Sequence, residues 1–547
     1  MKVLMIIITT VCTWFNSMAV TRTVKTVNEL HTALKESLPG DSVWVIGTIN
    51  ATGNTFTIPM GVTLYGGRGA NSYGALIYST SFTAVIGGLP LIQTGGNKVT
   101  ISGIRLRGAT GEITDFDYKR GVSKGIHGNH PGLTVVNCEI MWFDMWGVYL
   151  YTPAEGLIVN NYIHHCRNAG YGYGVWVGGS GIKYEGTAVI TRNIFDACRS
   201  AVDGSGHYSN MLITENTFLP EQHYTVISRH GQSNGCKGGN KTWVSKNIIT
   251  ADQYSFTIPE TATDTGSIII TENRVRRVPA QYNKPASSIA CLGDLVGDST
   301  REYLPKVFGN TGFIPSFSII VIANSDTVRI GSPVTVTATG ADSYWWRFGD
   351  GLVDQGQRVS KTVTYTYPSP GVYIITCIGW KGLEPCIAYK TIVVLPVEGT
   401  WLTGWVKDSY IGSVTGQFMK HVLINGNRVW SDDVAGYEGW QRVNLRCDTL
   451  SSIGIEFRSP SGCPKATISE IFCWFDAFSV TTPTGVRFYD SFEGRVLWSM
   501  KTDNIGSNVS TQTPVGERRD GERCYLIRRG QADCGTNWGA TLTYKVR

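Results

Sequence analysis

A short asparagine-bearing pattern recurs six times in the first half of the chain and restricts the possible folds more than any other feature. Two apolar residues are closely followed by an asparagine and then by another apolar residue. The asparagines are Asn137, Asn161, Asn193, Asn216, Asn247 and Asn273, which are 23 to 32 residues apart. Helical repeats keep a nearly constant length, whereas a β-solenoid confines insertions to its turns. The repeat therefore predicts a β-solenoid with an asparagine at the same corner of each coil.

Such a corner asparagine can bond to the backbone of the neighbouring coil, which would otherwise carry unpaired polar groups. Segments 61–67 and 99–106 fit two earlier coils. Before them, Thr26 and Glu29 have the spacing of a helical capping box, and Pro39-Gly40 would end the helix. The apolar residues of this segment fall on one helical face: Val27, Leu30, Leu34 and Leu38. We expect the helix to cover the open end of the solenoid.

Together, these features resemble the pectin-lyase-like superfamily of right-handed parallel β-helices, whose members commonly begin with such a helix, a "PGD" turn and a strand. The resemblance covers about residues 24–280. It implies an all-β fold, which we assign to residues 20–280, with a linker over 281–315. The superfamily includes polysaccharide lyases, glycoside hydrolases, epimerases, phage tailspikes and adhesins, so the resemblance leaves the activity open.

The second strand of each coil can be aligned on the preceding asparagine. One apolar position in each strand must face the core, and strand alternation turns its neighbours outward. One outward column then reads His127, Tyr149, Trp176, Asp203, Ile227 and Thr257. The next reads Asn129, Tyr151, Gly178, Ser205, Arg229 and Pro259. In this alignment Asp203 and Arg229 approach contact distance, and His207 and His230 stand at the adjacent bend.

Exposed aromatic side chains beside titratable groups suit a groove for a sugar chain, because flat rings stack on the apolar faces of sugars. The predicted substrate-binding residues are His127, Asn129, Tyr149, Tyr151 and Trp176. The predicted catalytic residues are Asp203, His207, Arg229 and His230. In the alternative interpretation, Asp203 and Arg229 form a surface ion pair, and a long turn or another domain covers the aromatic residues.

Two reactions could use such a face. In β-elimination from a uronate, Arg229 could neutralise the developing charge, and His230 or His207 could act as the base, oriented by Asp203. Hydrolysis normally needs two carboxylates, and this face supplies Asp203 clearly, with Asp144 and Glu260 farther away. We therefore favour a lyase over a hydrolase. The arginine motif of pectate lyases and the aspartate motifs of polygalacturonases are absent, so no catalytic role is transferred; a non-catalytic adhesion or virion-type glycan binder is the alternative.

Residues 316–397 resemble a PKD domain, an immunoglobulin-like sandwich, through "SYWWRFGDG" (343–351) and "TYTYPSPGVYIITC" (364–377). The resemblance implies a spacer or adhesion module without a catalytic site. Residues 398–547 resemble jelly-roll carbohydrate-binding domains through "NGNRVW" and "WFDAF". The stretch 488–546 usually comes first in such domains and here comes last. We expect one circularly permuted sandwich; the alternative is a truncated second copy.

The N-terminus indicates secretion. Residues 1–19 combine a lysine, an apolar run and the triplet Ser17-Met18-Ala19, which predicts a signal peptide and an extracellular protein without a membrane span. The remaining twelve cysteines are an even number, so disulfides are expected in an oxidising compartment. The pairs that we favour are Cys166–Cys198, at the same offset in adjacent coils, and Cys377–Cys386, across a hairpin.

Charge and metal-binding patterns add little. The net charge of +6 is spread along the chain, which is compatible with an acidic polysaccharide as partner and argues against nucleic acid. Cysteine and histidine spacings do not fit a zinc site, and we expect no cofactor. The acidic loop with Glu112, Asp115 and Asp117 could hold calcium, although a solvated loop is the favoured interpretation.

Overall fold

Three long parallel sheets, here called A, B and C, form the first half of the structure. The computed structural model describes residues 19–69, 72–80, 90–109, 123–151, 155–167, 171–178, 187–205, 210–220, 225–230, 241–250, 254–257, 268–275, 306–350, 360–408, 419–432, 441–447, 449–459, 468–490, 499–503, 507–512, 524–532 and 538–545. The predicted signal peptide lies almost wholly outside this range. Among the described residues, no helix is long and apolar enough to cross a membrane.

Each coil of the solenoid contributes one strand to each sheet, in the order A, B, C. The strands of sheet A are Thr21–Val24, Ser42–Val45, Thr63–Tyr65, Thr100–Ser102, Leu133–Val136, Gly156–Val159, Thr187–Thr191, Asn210–Thr214, Thr242–Ser245, Ile268–Thr271 and Lys306–Phe308. Those of sheet B are Thr48–Asn50, Leu76–Tyr78, Arg105–Arg107, Glu139–Met141, Tyr162–His164, Ile194–Asp196, Thr217–Phe218, Ile248–Ile249, Arg274–Val275 and Thr311–Gly312. Those of sheet C are Phe56–Ile58, Ile92–Thr94, Lys124–Gly128, Trp146–Leu150, Tyr173–Gly178, Ser200–Ser205, Thr225–His230 and Tyr254–Thr257. The expected all-β class and parallel β-helix are confirmed.

The corner asparagines form a continuous ladder between sheets A and B. The side-chain oxygen of Asn193 accepts hydrogen bonds from the backbone N–H and the side-chain amide of Asn161, at 3.0 and 2.9 Å. Its own amide donates to the carbonyl of Ile158 at 2.8 Å. The ladder continues beyond Asn273 to Asn310, whose side-chain oxygen lies 2.9 Å from the Asn273 backbone nitrogen.

The β-helix therefore extends past its predicted end at residue 280. Strands Lys306–Phe308 and Thr311–Gly312 pair with the preceding coil, within the segment that the sequence analysis assigned to a linker. The prediction was wrong for this segment because the insertion before Lys306 is longer than in any earlier coil and hides the periodicity. Asn310 carries the repeat at its usual corner.

The N-terminal helix covers the first coil as predicted. It spans Val27–Glu36, and the Thr26 hydroxyl accepts from the backbone nitrogen of Glu29 at 3.2 Å. Leu30 and Leu34 are buried in the core of the β-helix. Leu38, which the sequence pattern placed on the same face, lies beyond the end of the helix and is exposed. Its exposure follows from the extended backbone that begins at Ser37.

The middle domain is a two-sheet sandwich that packs against the outer face of sheet B. Its strands are Ile320–Ala323, Pro333–Thr339 and Thr362–Thr366 in one sheet, and Thr327–Arg329, Glu384–Leu395, Gly371–Lys381 and Ser343–Arg347 in the other. Trp346 faces the sandwich core. Its neighbour Trp345 faces the other way and packs with Trp380 against Tyr162 of the β-helix. The domain is thus docked directly onto the solenoid.

The C-terminal domain is a second sandwich of antiparallel strands. One sheet contains Gln441–Arg446, Trp401–Asp408, Ile468–Thr482, Cys524–Ala532 and Ser507–Gln512, with Gly485–Asp490 beside Ile468–Thr482. The other contains Asn427–Asp432, Met419–Ile424, Ser452–Ser459, Trp538–Lys545 and Ser499–Asp503. Strands from 488–546 occur in both sheets, so this final stretch completes the same sandwich.

The two disulfides that the sequence analysis favoured are not formed. Cys166, Cys198, Cys377 and Cys386 are free thiols in the structure. Cys166 and Cys198 lie in consecutive coils, and burial followed by the proximity of Cys198 raises the pKa of the Cys166 thiol. The spacing of parallel coils keeps equivalent side chains side by side, and each of these sulfurs bonds weakly to a backbone carbonyl instead.

Candidate functional site

The outer face of sheet C carries two parallel columns of side chains. Both arise from a strand pattern of residue, small residue, apolar residue, residue. The first column contains Lys124, Trp146, Tyr173 and Ser200, which are register partners in successive coils. The second contains His127, Tyr149, Trp176 and Asp203. The apolar residue between the columns faces the core: Ile126, Val148, Val175 and Val202.

Glycines beneath the columns bring successive coils close together. A Cβ atom on Gly125 would lie 2.1 Å from the carbonyl oxygen of Gly147, and one on Gly147 would lie 2.8 Å from that of Gly174. Gly174 has the same relation to the oxygen of Ala201, at 2.6 Å. Real Cβ atoms do not occupy such positions, so the glycine column fixes the spacing on which the aromatic columns depend.

The second column is a stacked ladder of rings. The His127 and Tyr149 rings are 4.8 Å apart with an interplanar angle of 10°, and the Tyr149 and Trp176 rings are 4.7 Å apart at 14°. Tyr151 meets Tyr149 edge-on at 5.5 Å. The structure thus brings together four of the five predicted substrate-binding residues. Offset-stacked and edge-on pairs of this kind each stabilise the folded state by about 0.5–1.5 kcal/mol beyond the area that they bury.

Sequence reasoning missed the first column, which lies beside this ladder. Trp146 is 4.6 Å from Tyr149 and 5.3 Å from Trp176, measured between ring centroids. The Lys124 ammonium nitrogen lies 5.1 Å from the Trp146 ring. Tyr173 is 5.5 Å from Trp176. The repeated glycine in "KGIH", "WGVY" and "YGVW" was the available signal, since it places the residues on both sides of the strand pattern on one face.

Asp203 continues the ladder in the next coil. It is the register partner of Trp176 and is 3% exposed. Burial, followed by the charge of Asp203, raises the pKa of the neighbouring Tyr173 phenol, whereas Arg199 acts in the opposite direction. Arg199 also donates to the backbone carbonyl of Tyr171 at 3.4 Å. A carboxylate, a phenol and a guanidinium therefore meet at this end of the aromatic face, and Arg199 and Tyr173 were both missed from the sequence.

The strand after Asp203 has a different register from the predicted one. Asp203 pairs with Ser228, not with Ile227, and Arg229 pairs with Gly204 rather than Ser205. His230 is the register partner of Ser205. The alignment was wrong by one residue because the connection before Thr225 is longer than the asparagine spacing implied. For Arg229 and His230 the structure describes the backbone alone, and His207 lies outside the described residues, so their catalytic roles stay predictions.

Asn129 follows the His127 strand directly. Its backbone nitrogen donates to the Thr94 hydroxyl at 2.9 Å, and that hydroxyl is 3.0 Å from Nδ1 of His130. These contacts order the end of the strand and leave the Asn129 side chain half-buried. The residue therefore lies next to the aromatic ladder, as predicted, although its role in binding stays a prediction.

Burial also sets the electrostatics of the ladder. Desolvation, followed by the charge of Lys124, lowers the pKa of His127 to about 4. Burial raises the pKa of Tyr149, and Tyr151 adds to that effect. His127 Nε2 is buried and has no hydrogen-bond partner in the described part of the chain. At neutral pH the ladder is therefore an uncharged aromatic surface with Lys124 at one end and Asp203 at the other.

The described residues contain no cluster of three histidine, cysteine, aspartate or glutamate side chains that could hold a metal ion. The acidic loop with Glu112, Asp115 and Asp117, for which calcium was considered, lies outside the described residues. Glu260, one of the two distant carboxylates considered for hydrolysis, lies outside them as well. Asp144, the other, is fully buried, and its carboxylate accepts from the Ser123 backbone nitrogen and hydroxyl at 3.1 and 2.9 Å.

A PKD domain model matches residues 318–383, which confirms the predicted PKD domain. Among curated proteins, no sequence matches the chain. Three solved structures are similar in part. They are an alginate lyase from Paenibacillus sp. str. FPU-7 (16% identity, TM-score 0.32, covering 47% of this chain and 96% of that chain), a protein titled Geobacillus virus E2 ORF18 (12%, 0.29, 66% and 72%), and tailspike gp49 from Acinetobacter baumannii bacteriophage Fri1, a capsular polysaccharide depolymerase (8%, 0.24, 96% and 83%).

Proposed function

We propose that the chain binds an extracellular or cell-wall polysaccharide along the outer face of sheet C and cleaves it at the Asp203 end by β-elimination. One observation carries the proposal: the stacked ladder of His127, Tyr149 and Trp176 runs in a single register column into Asp203. An aromatic surface that ends at a carboxylate suits a polymer that is held along its length and reacts at one point.

The ladder suits sugars because its exposed edges combine apolar carbon with polar tips. Trp176, Tyr151 and His127 are half-buried, so part of each ring is accessible. Sugars present apolar C–H faces between hydroxyl groups, and Tyr and Trp side chains match both kinds of surface. Because the rings are stacked against one another, their edges are held in place before a ligand arrives, which reduces the entropy lost on binding.

The residues around Asp203 fit elimination from a uronate. In this reaction a base takes the proton α to the carboxylate, the electron pair forms a carbon–carbon double bond, and the bond to the β-oxygen breaks as that oxygen gains a proton. The raised pKa of Tyr173 keeps its phenol protonated, which suits a proton donor to the leaving oxygen. Arg199 is a cation that could neutralise the substrate carboxylate, and His230, His207 and Arg229 remain the predicted base and partner cation.

A non-catalytic glycan-binding protein is the second candidate, and one observation favours it. Asp203 is 3% exposed and Tyr149 is 8% exposed, so the described part of the site is nearly as closed as a protein core. A binding surface needs accessible ring edges alone, whereas a catalytic group must come within hydrogen-bond reach of the reacting atoms.

The test compares wild-type protein with Asp203→Asn, Arg229→Ala and Trp176→Ala on a panel of acidic and neutral polysaccharides. Trp243→Ala is the matched control, because Trp243 is 49% exposed on sheet A, away from the site. New ultraviolet absorbance from unsaturated uronate ends, abolished by Asp203→Asn, would establish a lyase. New reducing ends without that absorbance would indicate a hydrolase. Binding that Trp176→Ala alone weakens, with no cleavage, would leave the binding protein.

A further inference from the structure

Two arginines stand side by side on the outer face of sheet B, in the coil that precedes Glu139. Strand Arg105–Arg107 turns Leu106 into the core and both arginines outward. The Arg107 guanidinium carbon lies 4.7 Å from the ring centroid of Tyr78, and that of Arg105 lies 5.9 Å from the ring centroid of Tyr73. Tyr73 is 52% exposed, so this arginine–tyrosine patch is open to solvent.

Neither guanidinium of the patch is neutralised by a carboxylate of the described chain. Arg105 Nε is buried without a hydrogen-bond partner. The nearest acid in register is Glu139, the partner of Arg105 in the following coil. Glu139 is itself buried, and its Oε1 is 3.2 Å from His164 Nε2. The patch therefore keeps donors that nothing in the described residues uses.

Stacking on tyrosine prepares an arginine for an oxyanion. The ring covers one face of the planar guanidinium and restricts its rotamers, while the in-plane N–H groups stay available. These N–H groups form a fork that matches two oxygens of a carboxylate or a sulfate. Two such forks, two residues apart on one strand, are separated by about 6.6 Å.

We propose that Arg105 and Arg107, backed by Tyr73 and Tyr78, bind the carboxylate or sulfate groups of an acidic polysaccharide. This site lies on sheet B and is separate from the aromatic face of sheet C. It goes beyond the proposed function by adding a charged contact that selects acidic over neutral polymers. The two sites share the class of ligand and no residue.

The positions around the patch favour a polysaccharide over a nucleic acid. In the coils on either side, the register partners of Arg105 are Leu76 and Glu139, and those of Arg107 are Tyr78 and Met141. The basic groups therefore do not continue along the sheet. Duplex DNA carries one charge per about 1.7 Å and is bound by longer basic tracks, whereas a patch of two arginines suits more widely spaced charges.

The experiment measures binding of an oligouronate, a sulfated oligosaccharide and a neutral oligosaccharide of equal length to the full chain. The variants are Arg105→Gln/Arg107→Gln and the charge-conserving Arg105→Lys/Arg107→Lys. Arg192→Gln is the matched control, because Arg192 is an exposed arginine paired with Glu215 on another face. The glutamine pair should weaken binding of the acidic ligand about tenfold or more, and the lysine pair should weaken it less. Binding of the neutral ligand should not change, and Arg192→Gln should behave as wild type.

Preference between the oligouronate and the sulfated ligand identifies which anion the patch takes. Equal losses for acidic and neutral ligands would overturn the proposal, as would unchanged binding of both acidic ligands in the glutamine pair. Tighter binding of single-stranded DNA than of either acidic sugar would also overturn it. Trp176→Ala separates the two proposals: if it leaves all binding intact while the glutamine pair does not, the sheet C function fails and the arginine–tyrosine patch stands.

Discussion

Arg347 of the PKD domain donates a hydrogen bond to the carboxylate of Asp196 on the β-helix. The Asp196 side chain is fully buried, and the Tyr162 hydroxyl donates to the same carboxylate oxygen at 3.1 Å. Trp345 and Trp380 cover the contact. A charged pair in this position ties the two domains together, because separating them would leave a carboxylate buried or force water into the interface.

Arg347→Met should therefore destabilise the chain by about 3–5 kcal/mol, the range for removing one partner of a buried ion pair. Thermal unfolding followed by tryptophan fluorescence would measure it. The control is Arg192→Met, which breaks the exposed pair with Glu215 and should change stability by less than about 1 kcal/mol. Adding Asp196→Asn to Arg347→Met should recover part of the loss, and a double variant no better than the single one would contradict this account.

The asparagine ladder gives a second stability prediction. Asn193→Leu would leave the backbone N–H of Asn161 and the carbonyl of Ile158 without their partners. Each orphaned buried group costs about 1–3 kcal/mol, so the variant should lose several kcal/mol. Urea unfolding would show it as a lower midpoint.

The control for the ladder is Asn160→Gly at the adjacent exposed corner. Asn160 has a φ of 56°, a backbone conformation that glycine adopts without strain, and its side chain is not part of the ladder. Its unfolding midpoint should stay close to that of wild type. Equal losses in the two variants would mean that the corner backbone, not the amide ladder, determines stability.

The glycine column under sheet C predicts a defect in binding. In Gly125→Ala the new Cβ would meet the carbonyl oxygen of Gly147 at 2.1 Å, so the coils must separate locally. Lys124 and His127 would then lose their register with Trp146 and Tyr149. We expect weaker glycan binding and lower stability, measured by titration calorimetry and by thermal unfolding. Gly312→Ala is the control, since nothing lies within 4 Å of its Cβ position.

The parts of the fold that repeat were readable from the sequence. Asn137 to Asn273 mark one corner, and alternation from that corner places His127, Tyr149 and Trp176 in one outward column, as the structure does. Counting from a corner fails where a turn changes length. That is why the strand that carries Arg229 was displaced by one position and the coil at Asn310 was missed.

The contacts between domains were not readable in the same way. Trp345 and Trp346 are adjacent in one PKD strand, and alternation shows that they face opposite sides. It cannot show that one side meets Tyr162, because that contact depends on how two separately folded surfaces fit. The partnership of Tyr173 with Arg199 and Asp203 has the same origin, since it joins residues of different coils and columns.

The last prediction concerns the pH dependence that His127 introduces. Burial holds its pKa at about 4 in the folded chain, below the ordinary value of about 6.5. Between these values the unfolded chain binds a proton that the folded chain does not, so stability rises with pH across this window. The contribution is complete above pH 6.5 and is lost as the pH falls towards 4.

His127→Gln should therefore lose less stability than wild type when the pH is lowered from about 6.5 to 4. Urea midpoints at the two ends of the window would measure the difference, and other titrating groups cancel in the comparison. His31→Gln, which removes an exposed histidine from the N-terminal helix, should keep the wild-type dependence. Identical pH profiles for wild type and His127→Gln would show that the imidazole is solvated, and the ladder would then be more open than its stacked geometry indicates.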